Sequence, residues 1–148
     1  MKEINIGLLG CGTVGTGVAK LLIENQDLLT ARVGAKLNLK WVADIDVETD
    51  RGIPFPEGVL TTDAQKVMND PEIDMVIEMI GGEGIAKKFM LQAINNGKHI
   101  VTANKALLAA HGNELFAAAA EKGVDLAFEA SVGCLLYTSD AADELRSG

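Results

Sequence analysis

Ile4-Asn5-Ile6-Gly7-Leu8-Leu9-Gly10-Cys11-Gly12-Thr13-Val14-Gly15 is the stretch that decides the fold. Its first half is an apolar run of strand length that stops at a glycine. Beyond it, Val14, Val18, Leu21 and Leu22 fall at i, i+4, i+7 and i+8, the apolar stripe of a helix. Between strand and helix lies Gly-x-Gly-x-x-Gly, a pattern that is weak alone and informative in this setting. Gly10 allows the tight turn. Gly12 lets backbone approach a pyrophosphate with no Cβ in the way, and Gly15 permits close packing of helix on strand. The helix that opens at Thr13 and Val14 offers backbone N–H groups and a partial positive charge to phosphates. The stretch predicts a dinucleotide-binding unit of strand, turn and helix.

The same alternation continues. Leu37 to Ile45 reads as a second strand, reached through an extended segment from Asn25 to Gly34. Residues 46–58 hold two prolines, two glycines and several charges, and read as an exposed loop. Val59-Leu60 is a short strand. Thr62-Asp63-Ala64-Gln65 has the form of a capping box that opens a helix through about Asn69. Further strands are expected at Met75–Ile80, His99–Thr102 and Asp125–Glu129, and further helices at Ile85–Asn96 and Leu115–Lys122, the last two ended by Gly97 and Gly123. Strands that alternate with helices imply crossover units and a sheet buried on both faces. The expected fold is α/β, a Rossmann-type doubly wound and largely parallel sheet of about six strands.

Composition fits this reading. The chain has 148 residues, 48% hydrophobic and 23% charged, enough for one domain with its own core. Aromatic residues make up only 4%, so the core is built from aliphatic side chains. A net charge of −8 argues against nucleic acid, whose phosphates it would repel, and against a basic membrane-surface patch. No apolar run approaches the roughly 20 residues of a membrane span, and no signal-peptide pattern opens the chain. Cys11 and Cys134 form neither a disulfide framework nor a zinc spacing, and Cys11 reads as a small filler inside the glycine turn. The expected location is the cytoplasm.

In a dinucleotide site the acid that ends the second strand holds the adenosine ribose. Asp44 takes that part, with Asp46 as the alternative. Asp44 lies 29 positions after Gly15, longer than the usual ~20. Ligands of open parallel sheets bind outside the carboxyl ends of the strands, so two more strand ends belong to the same crevice. One is Glu78-Met79-Ile80-Gly81-Gly82, whose paired glycines let backbone approach a flat ring. The other is Thr102-Ala103-Asn104-Lys105, which offers a hydroxyl, an amide and a cation together. A helix start disfavours lysine, because the dipole there attracts anions, so Lys105 is a functional candidate. His99 reads as the start of a strand and His111 as part of an exposed turn before Gly112, rather than as acid–base groups.

The segment from Cys134 to Gly148 breaks the pattern, with no apolar period after a strand that should lead into more protein. Read back into codons, Cys134 to Asp143 matches the end sequence of a transposase-type sequencing-library adapter. We therefore take residues 1–133 as the cofactor-binding domain and expect 134–148 to be a non-native tail.

These motifs resemble homoserine dehydrogenase. The resemblance is carried by Gly7-Leu8-Leu9-Gly10-Cys11-Gly12-Thr13-Val14-Gly15, by Ile80-Gly81-Gly82, by Val101-Thr102-Ala103-Asn104-Lys105-Ala106-Leu107-Leu108 and by Phe128-Glu129-Ala130-Ser131-Val132-Gly133. It spans residues 4 to 133, and its last two runs are far more specific than the glycine turn. The resemblance implies NAD- or NADP-dependent interconversion of aspartate 4-semialdehyde and homoserine, in the biosynthesis of threonine, methionine and isoleucine. It implies that Lys105 stands at the junction of cofactor and substrate as the catalytic lysine of this part. It also implies that Glu129 and the Val132 backbone form part of a monovalent-cation site, usually sodium, a pairing of carboxylate and carbonyl that suits a hard cation. The family's substrate domain would lie beyond Gly133 and is absent from this sequence, and the full-length protein is expected to be a homo-oligomer acting on a small molecule. Two rival readings are another two-domain dehydrogenase, which would carry a different pair at Asn104-Lys105, and a nucleotide-binding sensor that catalyses nothing.

Overall fold

The computed structural model describes residues 3–48, 52, 55–80 and 84–128. Six strands form one sheet in the order β3-β2-β1-β4-β5-β6, and every neighbouring pair is parallel. In chain order the elements are β1 (Glu3–Leu9), α1 (Thr13–Glu24), α2 (Gln26–Val33), β2 (Lys36–Ala43), β3 (Leu60–Thr61), α3 (Gln65–Asn69), β4 (Met75–Glu78), α4 (Gly84–Asn95), β5 (His99–Thr102), α5 (Lys105–Lys122) and β6 (Leu126–Phe128). This is the doubly wound order whose strand direction of travel reverses between β1 and β4, and the crevice above that reversal is where such sheets bind ligands.

Each strand feeds two cores because successive side chains point to opposite faces. Ile6 and Leu8 of β1, Leu37 of β2, Ile77 of β4 and Val101 of β5 pack with Val18, Leu21 and Leu22 of α1 on one face. Leu9, Val76 and Ile100 point the other way and meet Met68 of α3, Met90 and Ile94 of α4 and Leu115 of α5. Gly7 serves the second face by leaving room: a Cβ there would stand 2.5 Å from Cγ1 of Val67. A side chain at that point would push α3 off the sheet.

The structure corrects four expectations. Residues 25–34 are not extended. They form α2, with Asp27 in its first turn and Gly34 as a left-handed C-cap at φ +78°. The capping box at 62–65 does not form. α3 starts at Gln65 without a side-chain cap, and the approach to it is shaped by Thr61 Oγ1 accepting the Asp63 N–H and Asp63 Oδ1 accepting the Gln65 N–H. α5 begins ten residues earlier than Leu115, so His111 and Gly112 lie inside a helix and not in a turn. The strands expected to run to Ile45 and Ile80 end at Ala43 and Glu78. The expected tail at 134–148, together with Gly81, Gly82, Glu129, Val132 and Cys134, lies outside the described residues. Among the described residues no helix is long and apolar enough to cross a membrane.

Candidate cofactor-binding site

Three strand ends are tied together by backbone. Gly10 donates its N–H to the Ala43 carbonyl at 2.8 Å, and Met79 donates to the Leu9 carbonyl at 2.8 Å. Gly10 turns with φ +91°, and a Cβ on it would lie 2.9 Å from the Met79 carbonyl. Both the backbone angle and the space therefore require glycine. Gly15, in the first turn of α1, is held just as tightly, because its Cβ would fall 2.3 Å from the Gly10 oxygen. Gly12 differs. Its φ of −75° and ψ of −155° are extended and outside the left-handed region, and a Cβ there would meet nothing within 4 Å among the described residues. The fold makes no demand for glycine at Gly12, whereas a ligand that must reach the backbone does.

α1 starts at this turn with Gly12 as its N-cap, no side-chain cap and no acidic residue in its first turn. With no acidic residue in that first turn, the positive end of the helix dipole suits a phosphate. Thr13 and Val14 stand at the first two helical positions, as expected.

Asp44 follows β2 directly, half-buried, and its carboxylate is shared. Oδ2 accepts the Cys11 N–H at 2.6 Å and Oδ1 accepts the Asp46 N–H at 2.9 Å. Asp46 is exposed and uses Oδ1 to accept the Glu48 N–H. Asp44, not Asp46, therefore faces the glycine turn. Between these groups opens a cleft of about 410 Å³, lined by Gly10, Gly12, Asp44, Ile45, Thr62 and Ile80 among others. Ile45 is 97% exposed and Ile85, on the opposite lip, 57%. Unpartnered aliphatic side chains around a crevice suit the faces of a planar ring.

The second expected group sits farther along the same sheet edge and does not line this cleft. β5 lies two strands from β1, so its end is about 10 Å away. Thr102 is fully buried. Its hydroxyl donates to Glu78 Oε2 at 2.6 Å and accepts the Asn104 N–H at 3.0 Å, so it braces the loop from below. Asn104 is the N-cap of α5, its side chain accepting the Leu107 N–H at 3.0 Å. Ala103 packs partly against the core, and Lys105 stands exposed at the first position of α5. Sequence reasoning put Glu78 at this strand end without giving it a role; it is fully buried at the end of β4. The signal was there, a lone charge inside Met75-Val76-Ile77-Glu78-Met79-Ile80. Sequence reasoning missed Ile45, Thr62 and Ile85 as cleft walls, since single exposed aliphatics carry no pattern.

At the opposite edge Lys98 is buried, and its Nζ donates to the carbonyls of Asp70 at 2.5 Å and Ile73 at 2.9 Å. Burial pushes its ammonium pKa down, and Asp70 and Asp74 partly oppose that. Burial raises the pKa of Asp70, but donation from Lys40, the Glu72 N–H and Trp41 outweighs it and holds the carboxyl at about 2. Among the described residues no group of three His, Cys, Asp or Glu side chains is disposed to hold a metal ion.

Comparison with known proteins shows the family to which this chain belongs. Residues 10–129 match the family model described as homoserine dehydrogenase, NAD binding domain. The chain belongs to the homoserine dehydrogenase family. The homoserine dehydrogenase of Bacillus subtilis is 48% identical over 132 residues, 89% of this chain and 30% of that protein. The enzyme of Corynebacterium glutamicum is 44% identical over an alignment that covers 99% of the chain and 34% of that protein. Among solved structures, a homoserine dehydrogenase from Thiobacillus denitrificans superposes with a TM-score of 0.80 at 46% identity, over 88% of this chain and 30% of that one. The chain thus spans about a third of the length of its relatives, the part that holds the NAD-binding domain. The glycine turn, Asp44 and the strand ends described above all fall within the matched residues.

Proposed function

We propose that this chain is the cofactor-binding part of an enzyme that interconverts aspartate 4-semialdehyde and homoserine with NAD or NADP. The observation that carries the proposal is Gly12: an N-cap with ordinary backbone angles and open space around its absent side chain, at the uncapped start of α1. An approaching ligand gives glycine a reason there that its backbone angles and described surroundings do not. A bound nicotinamide supplies hydride chemistry. The residues of this chain bind and orient, with Gly10 to Gly15 on the pyrophosphate, Asp44 on the adenosine ribose, Ile80 to Gly82 and Ala103 to Asn104 beside the nicotinamide, Thr102 bracing that loop from below, and Lys105 at the junction with substrate.

Asp44 favours NAD over NADP in this reading. A 2′-phosphate at about 4 Å from a carboxylate is opposed by several kcal/mol at an effective dielectric of about 20, before salt screening. The reading extends to a monovalent cation held by Glu129 and the Val132 carbonyl, supported by the likeness of Phe128 to Gly133 to the family motif and by the affinity of hard cations for oxygen. Residues 134–148 remain, in this reading, foreign to the protein. The genomic reading frame past Gly133 tests that directly, and continuation into Cys134-Leu135-Leu136-Tyr137 would overturn it.

The test of the activity is a fusion of residues 1–133 to the remaining two thirds of the Bacillus subtilis enzyme. The fusion is expected to oxidise NADPH or NADH with aspartate 4-semialdehyde, and its Lys105→Ala variant to bind cofactor with turnover reduced at least a hundredfold. A folded fusion that binds cofactor without reducing the aldehyde would favour the sensor reading.

A further inference from the structure

From the geometry of one buried carboxylate we infer that Glu78 is a positioning residue that fixes the nicotinamide-side loops of the site relative to each other. The inference rests on the cofactor reading above and goes beyond it by giving a role to a residue that does not touch the ligand.

Glu78 ends β4, in register with Leu9 of β1 on one side and Thr102 of β5 on the other. Its side chain has no exposure to solvent. An ionisable group is kept at such a place only when its oxygens are satisfied, because burial removes its hydration. Oε1 accepts the Ile80 N–H at 2.8 Å, curling the chain back over the end of its own strand. Oε2 accepts the Thr102 hydroxyl at 2.6 Å. That hydroxyl has one proton, so giving it to Glu78 leaves its lone pairs to the Asn104 N–H at 3.0 Å. Asn104 then caps α5 through the Leu107 N–H, and Lys105 is the next residue. A single relay of hydrogen bonds thus runs from the loop that starts at Ile80, through Glu78 and Thr102, to the first turn of the helix that carries Lys105.

The direction of donation matters. A carboxylate only accepts, so it forces the Thr102 proton toward β4 and leaves the Thr102 oxygen as acceptor for the next loop. Glutamine at position 78 has one acceptor and one donor. If its oxygen keeps the Ile80 N–H, its amide faces a hydroxyl oxygen that already accepts from Asn104, and the Thr102 proton loses its partner. Glu78→Gln therefore loosens the relay while filling the same volume. Thr102→Val removes it from the other end, and Thr102→Ser keeps it.

The experiment compares binding of NADH and of ADP-ribose, which lacks the nicotinamide, to the 148-residue chain, with thermal melting run alongside. Wild type is expected to bind NADH several-fold more tightly than ADP-ribose. Glu78→Gln and Thr102→Val should each weaken NADH about tenfold and leave ADP-ribose within twofold, and the double variant should be no weaker than either. Thr102→Ser should restore NADH binding to within twofold of wild type. Equal weakening of both ligands would overturn the proposal by making Glu78 merely structural. Unchanged NADH affinity in folded Glu78→Gln and Thr102→Val would overturn it too. Should Glu78→Gln fail to fold, the Thr102→Val and Thr102→Ser pair decides alone. A folded wild type that binds neither ligand would sink the cofactor reading itself, a result distinct from the other two.

Discussion

The Asp44 carboxylate accepts the backbone N–H of Cys11 at 2.6 Å, which ties the loop after β2 to the glycine turn after β1. In the proposed reading this one acid has two duties, bracing the glycine turn and presenting charge to the adenosine ribose. The two are separable. Asp44→Asn keeps an oxygen for the Cys11 N–H and removes the charge, whereas Asp44→Ala removes both. Asp44→Asn is expected to raise the NADPH:NADH affinity ratio about tenfold with little change in melting temperature. Asp44→Ala should shift the ratio similarly and cost about 1–2 kcal/mol of stability as well, because the Cys11 N–H loses its partner. An unchanged ratio in both variants would remove Asp44 from the ribose site.

Gly12 and Gly15 should respond oppositely to the same substitution. A Cβ at Gly15 would fall 2.3 Å from the Gly10 oxygen, a backbone atom that cannot swing aside, so Gly15→Ala is expected to cost on the order of 2–4 kcal/mol in urea or thermal unfolding. Gly12→Ala has open space and ordinary angles, so its stability should stay within about 0.5 kcal/mol of wild type. Its cofactor affinity should nonetheless fall at least tenfold. A destabilised Gly12→Ala or an untroubled Gly15→Ala would contradict the division of roles between the two glycines.

The unit of strand, turn and helix that holds these glycines was legible in the sequence, because each part announces itself within twelve residues. α2 was not. Gln26 to Val33 has no apolar stripe, and it is held as a helix by local devices, with Asp27 in the first turn, Gly34 at the end and Gln26 Nε2 donating to the Leu37 carbonyl. Gly112 misled in the other direction. Glycine usually punctuates, but here it is buried in the middle of α5 with Leu108 and Phe116 at 4.0 Å from where a Cβ would be, and helix–sheet packing overrides its low propensity. The parallel, doubly wound class of the sheet followed from alternation alone, whereas the order of its strands and their exact ends did not. The sequence offered the Thr102 hydroxyl as a group for the site, and only the fold shows the buried Glu78 that engages it from beneath.

Lys98 secures the amino edge. Its Nζ holds the carbonyls of Asp70 and Ile73, which line the path from α3 into β4. Lys98→Met fills a similar volume without donating, and is expected to destabilise the chain by about 1–3 kcal/mol, because the Ile73 carbonyl loses the ammonium and the Asp70 carbonyl keeps only the Ile73 N–H. Chemical denaturation measures this. A variant as stable as wild type would mean that water replaces the ammonium at no cost.

Asp70 gives the same edge a pH dependence. Its carboxyl is held at about 2 against an ordinary value of 3.8, and the lowered value means the folded state prefers the charged form. The stability this brings is complete above about pH 5 and is lost as pH falls from there through about 2, on the order of 1–2 kcal/mol after allowance for solvent. Asp70→Asn should be less stable than wild type at pH 6, and the gap should narrow on acidification over that window. A gap that stays constant from pH 6 to pH 2.5 would show that Asp70 is not preferentially charged in the folded state.

The most direct test of the account is equilibrium titration of NADH into the 148-residue chain, followed by nicotinamide fluorescence and calorimetry. The account predicts a folded chain with one saturable site per molecule, competed by ADP-ribose, and no NADH consumption when aspartate 4-semialdehyde is added. A folded chain that shows no saturable binding of NADH or NADPH up to millimolar concentration would contradict it.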